Sequence, residues 1–120
     1  MGITIFTGHY READSIAGFM DFYYSLHMNH LASDLLHRGF STKQLNDAVA
    51  KAIKVGESYG MDIRQHFKPV FSGIEKEIVQ DCKLSHLGYG LVLMNADLEL
   101  SVVVDFQVSV LEGFLKVLHH

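Results

Sequence analysis

The stretch from Asp81 to Asp97, DCKLSHLGYGLVLMNAD, constrains the fold of this chain more than any other. It holds a start signal, an apolar run and a stop signal in one piece. Ser85 suits a helix N-cap, because its hydroxyl can accept from an orphan N–H of the first turn. Leu87, Leu91 and Met94 then recur at helical spacing, with Tyr89, Val92 and Leu93 filling a second side. Asn95 is expected to end the element in the left-handed conformation. Gly88 and Gly90 each cost roughly 1 kcal/mol relative to Ala inside a helix. Their presence predicts close packing by another element, so the stretch reads as a short buried helix. A plain core helix is its simplest role.

The last segment supports two periodicities. Val102, Val104, Phe106, Val108 and Val110 alternate as in a strand. Leu100, Val103, Val104, Val108, Leu111, Phe114, Leu115 and Leu118 fit a helical face. No turn signal interrupts the run before Gly113, and it is too long for an ordinary strand. A helix over Leu98–Leu118 is predicted. Leu100, Val103, Val104, Leu111, Leu115 and Leu118 are expected to dock it on its own domain. Val102, Phe106, Val110 and Val117 then lie on a second apolar side, and only Ser101, Asp105, Ser109, Glu112 and Lys116 form a polar strip. A helix apolar nearly all round is buried on two sides. The second side is expected to meet a protein partner or another copy of the chain, as in a homodimer. The alternative is cover by Phe19–Leu26 within one chain.

The remaining elements read more simply. Ile3–Phe6 suggests a short strand, and residues 9–18 a loop or short helix. Phe19, Phe22, Tyr23 and Leu26 fit a helical face, though their aromatic richness also suits a strand. A break is expected at His27–Asn29, then one or two helical turns from His30 that end at Gly39. Ser41 caps the clearest amphipathic helix, with Leu45, Ala48, Val49, Ala52 and Ile53 on one side and Gly56 or Gly60 at its end. Asp62 can cap one more turn, which Pro69 cannot continue. Val70–Gly73 reads as a turn and Glu75–Cys82 as a strand. The fold class that follows is α+β: a small antiparallel sheet packed against several helices, with a long C-terminal helix, in a single domain spanning 1–120.

Composition narrows the setting. Ten Lys and Arg stand against fourteen Asp and Glu, for a net charge of −4, which argues against a dedicated nucleic-acid binder. No apolar run reaches the roughly 20 residues of a membrane span. No basic segment followed by an apolar one suggests a secretory signal. One cysteine, Cys82, precludes an internal disulfide, and a cytoplasmic location is the expectation.

Lys83-Leu84-Ser85-His86, Tyr89 and Leu93-Met94-Asn95-Ala96-Asp97 together resemble the signature of the Bro-N and damage-inducible protein D families, which are phage and prophage antirepressor-type domains. Ala32, Asp34, Leu35 and Gly39-Phe40-Ser41 are similar to an element that precedes a long amphipathic helix in those families. The Thr42–Val55 helix, the Asp62–Phe67 segment and Gln107 extend the likeness from Asn29 to Glu112. The chain departs from the pattern at Ala96-Asp97-Leu98, where proline is missing, and at His86, where arginine is usual. The families' second domain has no counterpart here, so its activity does not carry over. The resemblance implies a phage- or mobile-element-derived regulator or inhibitor that acts by binding protein, with no catalytic residues and no cofactor.

Other chemistry weighs less. His27, His30, Asp34 and His37 would approach one side of a continuous helix, but a structural zinc needs three or four converging ligands and a break is expected here. Cys82 and His86 have thiol–base spacing without an orienting group or an oxyanion site. Neither an enzyme nor a metal protein is expected. Lys43, Lys51 and Lys54, with Arg64 and Lys68 after them, are candidate phosphate contacts, and Gln44 and Asn46 candidate base contacts. Against this stands an ordinary solvated face with Asp47 and Glu57 interleaved. DNA binding by this helix is therefore the alternative function.

Overall fold

A computed structural model of the chain describes residues 12–74 and 77–119; the Ile3–Phe6 strand expectation lies outside the described residues. The elements run α1 (Glu12–Ser25), β1 (His30–Leu31), a 3-10 segment (Ala32–Arg38), α2 (Thr42–Tyr59), a 3-10 turn (Ile63–Gln65), β2 (Phe67–Ile74), β3 (Glu77–Leu84), α3 (His86–Met94) and α4 (Ser101–Leu118). Three antiparallel strands in the order β1-β3-β2 form one small sheet. The expected α+β architecture and the long C-terminal helix are both present.

α2 shows how local chemistry sets the boundaries. The Ser41 hydroxyl accepts from the Gln44 N–H at 3.1 Å, and the Gln44 side chain accepts from the Ser41 N–H at 2.9 Å. This reciprocal box satisfies two donors that the helix start would otherwise leave open. Leu45, Ala48 and Ala52 are buried on the inner side. Gly60, at φ 91°, ends the helix in a conformation that carries a steric penalty for any residue with a Cβ.

α3 runs through the middle of the molecule. Ser85 Oγ accepts from the Gly88 N–H at 3.0 Å, as expected of its cap. Gly88 has the predicted close neighbour, whereas Gly90 meets only an ordinary contact. A Cβ on Gly88 would lie 2.5 Å from the His66 carbonyl oxygen, and one on Gly90 would lie 3.5 Å from Phe106 Cζ. Asn95 departs from expectation. Its φ is −117°, not left-handed, and it closes the helix with its side chain, which donates to the Leu91 carbonyl at 2.7 Å.

Two segments are corrected. Val70–Gly73 is not a turn but part of β2, which pairs with β3 from Phe67↔Leu84 to Ile74↔Glu77. Pro69 misleads because it sits in an edge strand, where a missing N–H is tolerated. His30–Leu36 begins not as helix but as the two-residue β1, paired with Leu84 and Lys83. The 3-10 segment follows, and Gly39 ends it at φ 100°. Asp81 anchors this segment: its buried carboxylate accepts from the Ser33 and Cys82 N–H groups at 3.0 and 2.7 Å.

The core lies between α2, α3, the sheet and the start of α4. Leu35, Leu84, Val92, Leu93 and Val103 are its largest fully buried side chains. α1 is a helix, resolving the ambiguity at Phe19–Leu26, but it packs chiefly on the Ile63–Gln65 turn. Its Phe19, Phe22 and Tyr23 are exposed, as is Leu26 just after it. Among the described residues, no helix is long and apolar enough to cross a membrane.

Candidate protein-binding surface

α4 divides along its axis, not around it. Val103 is buried, and Leu100, Val102 and Phe106 pack against the core. Gln107 fixes this half further: its side-chain amide donates to the carbonyls of Leu93 and Met94 at 3.1 and 3.3 Å, closing the end of α3. From Val108 to His119 every residue is exposed. Val102 and Phe106, expected on the second side, therefore serve the core of their own chain. Val104, Leu111, Leu115 and Leu118, expected to dock, are exposed together with Val110 and Val117. Periodicity shows which residues share a face; it does not show how far the neighbouring layer extends. Here that layer ends after about two turns of the helix.

The exposed half continues the docked face. Val103 and Gln107 point into the domain, and Val110, Phe114, Val117 and Leu118 follow on the same side at the spacings of a helical stripe. These four and Leu111 are 44–70% exposed. The stripe simply runs past the domain that its first turns cover.

The proposed nucleic-acid residues do not converge. Lys43 forms an ion pair with Asp47 at 2.9 Å, one helical turn on, which holds its ammonium above the ordinary lysine range. Gln44 is committed to the cap and donates to Asp97 at 3.1 Å. Arg64 lies 3.8 Å from Asp21 and 3.7 Å from Asp62. Lys68 is half-buried in β2, opposite Lys83. Lys51 and Lys54 do come together, in a shallow depression with Tyr59 and Asn95. Tyr59 is 84% exposed, and its sequence offered no sign of a role beyond the end of the helix.

The histidines separate. His27 meets Tyr23 edge-on, with ring centroids 5.1 Å apart, and His37 is exposed at the end of the 3-10 segment. Among the described residues no three His, Cys, Asp or Glu side chains come together as a metal site would require. His30 and His86 form a hydrogen bond instead, Nε2 to Nδ1 at 2.9 Å, and His30 stacks on Tyr89 with centroids 4.3 Å apart. Burial and the His86 imidazole hold His30 below the ordinary histidine range, against the pull of Asp34. Cys82 is an unsuitable nucleophile: burial pushes its thiol up to about 11, so it stays protonated at neutral pH. His86 is engaged with His30, and the His66 ring nitrogen pairs with Ser85 Oγ at 2.7 Å.

Two concave regions flank these elements. One, of about 510 Å³, lies between α2 and the hairpin and includes Leu45, Val49, Pro69 and Asp81. The other, of about 590 Å³, joins His30, Asp34, Arg38 and Tyr89 to Asp105 and Phe106 of α4. Comparisons with protein-family models, with curated proteins and with solved structures find no match to this chain.

Proposed function

We propose that the chain is a non-enzymatic regulator or inhibitor that acts by binding protein in the cytoplasm, of the phage antirepressor or anti-defence kind that its Bro-N-like signature implies. The observation carrying this reading is apolar helix surface without cover: the outer half of α4, and the aromatic side of α1. Uncovered patches of this kind mark interaction sites. The acidic balance of the chain favours protein over nucleic acid as the partner.

Affinity capture from host lysate, with and without nuclease, tests it. The expected result is a protein recovered equally in both arms. Recovery that disappears with nuclease would replace this reading with the second one, DNA binding through α2. That second reading is favoured only by the Lys51, Lys54 and Tyr59 group, where two cations adjoin an exposed ring on which a base could stack.

A further inference from the structure

We infer that the outer half of α4 pairs antiparallel with the same segment of a second copy, about a two-fold axis at Phe114. This names one partner of the surface on which the protein-binding reading rests. The spacing of the stripe is the first argument. Val110 and Leu111 lie four and three residues before Phe114, and Val117 and Leu118 lie three and four after it. The stripe therefore reads the same in both directions. An antiparallel copy places Val110 against Leu118, Leu111 against Val117 and Phe114 against itself. A two-fold interface requires this kind of self-complementarity.

Area is the second argument. At their observed exposure these five side chains offer roughly 100 Å² each, on the order of 500 Å² of apolar surface per chain. A standard interface takes about 800 Å² from each partner, and about 65% of a homodimer interface is apolar. The two quantities agree, so one more copy is sufficient to cover the stripe.

Direction is the third. The stripe lies on the side of α4 that docks on its own domain at Val103 and Phe106. In a parallel pair the two domains would compete for one space under the facing stripes. In the antiparallel pair they lie at opposite ends. α1 does not supply the cover, because its Phe19 and Phe22, and Leu26 just after it, are themselves exposed.

Light scattering on wild type should give twice the 13.5 kDa of one chain. Phe114→Glu should halve that mass and leave the chain folded by circular dichroism, because Phe114 touches little of its own domain, with a melting temperature that no longer rises with protein concentration. Phe114→Cys in a Cys82→Ser background should cross-link under mild oxidation, since a residue on the axis meets its own copy. Val104→Cys in the same background should not. A wild type with the mass of one chain would mean that another segment or another protein covers α4, and would overturn the pairing. So would a dimer that survives Phe114→Glu, or equal cross-linking at both positions. A monomeric wild type that still captures its protein defeats the pairing alone. A confirmed dimer that captures nothing defeats the regulator reading alone.

Discussion

Gly88 and Gly90 are two residues apart and should answer the same substitution with opposite signs. A methyl group on Gly88 would meet the His66 carbonyl, whose oxygen also accepts from the Ser85 N–H at 3.1 Å. That oxygen cannot yield without disturbing the junction of β3 and α3. Gly88→Ala should cost about 1–3 kcal/mol of overpacking, more than the helix propensity it gains. At Gly90 the nearest atom is a ring carbon at ordinary contact distance. Gly90→Ala should therefore stabilise by about 1 kcal/mol, the difference in propensity. Paired thermal melts decide the matter, and two shifts of the same sign would contradict the packing described. His30 supplies a second test. Its folded-state proton affinity lies below the ordinary value of 6.5. Below 6.5 the unfolded chain takes up a proton that the folded chain resists, so stability falls as pH drops from 6.5 to the folded value and then levels off. Denaturant midpoints at pH 7.5 and 5.5 should differ less in His30→Gln than in wild type.

At the scale of elements, α2 depends on its first turn. Ser41→Ala removes the hydroxyl from a reciprocal cap and should cost about 1 kcal/mol, measurable as a lower urea midpoint with an unchanged slope. Such local chemistry was legible without coordinates. Ser41, Ser85 and Asp62 announced their helix starts, and Gly39 supplied the left-handed end that its composition suggests. Only the β3 half of the hairpin was legible; β2 was not, because Pro69 breaks the interior of a sheet but is tolerated in an edge strand, and edge position is a property of the assembled sheet. The candidate surface was legible only by half. The apolar surplus of α4 stood in the sequence. Which residues it belonged to depended on where α3 and the 3-10 segment stop, which no spacing within α4 encodes. The interleaving of Lys43 with Asp47 was readable, and it foretold the weakness of the basic face.

The molecule as a whole is less compact than its length requires. A 120-residue globule has a radius of gyration of about 14 Å, whereas this one measures 17.0 Å, with extents of 56 × 40 × 22 Å. α1 and the outer half of α4 account for much exposed apolar surface, and a second copy on α4 would remove part of it. The sheet contributes to the open shape in its own way. β1 pairs with β3 only at Leu84 and Lys83, while β2 runs beside β3 for its full length. The inner rungs rest on Phe67 and Leu84, both in the core. Further out, Phe71 is 76% exposed, and among the described residues no third strand flanks β3 before Lys83. A ribbon of two strands alone is only marginally stable in water. The sheet should therefore not open as one cooperative unit. Amides on the rungs from Phe71↔Gln80 to Ile74↔Glu77 should exchange with deuterated solvent through a local opening of low free energy, while those at Phe67 and Leu84 wait for the whole chain to unfold. Added denaturant would distinguish the two classes: exchange at the root would accelerate steeply, and exchange along the outer ribbon would hardly change.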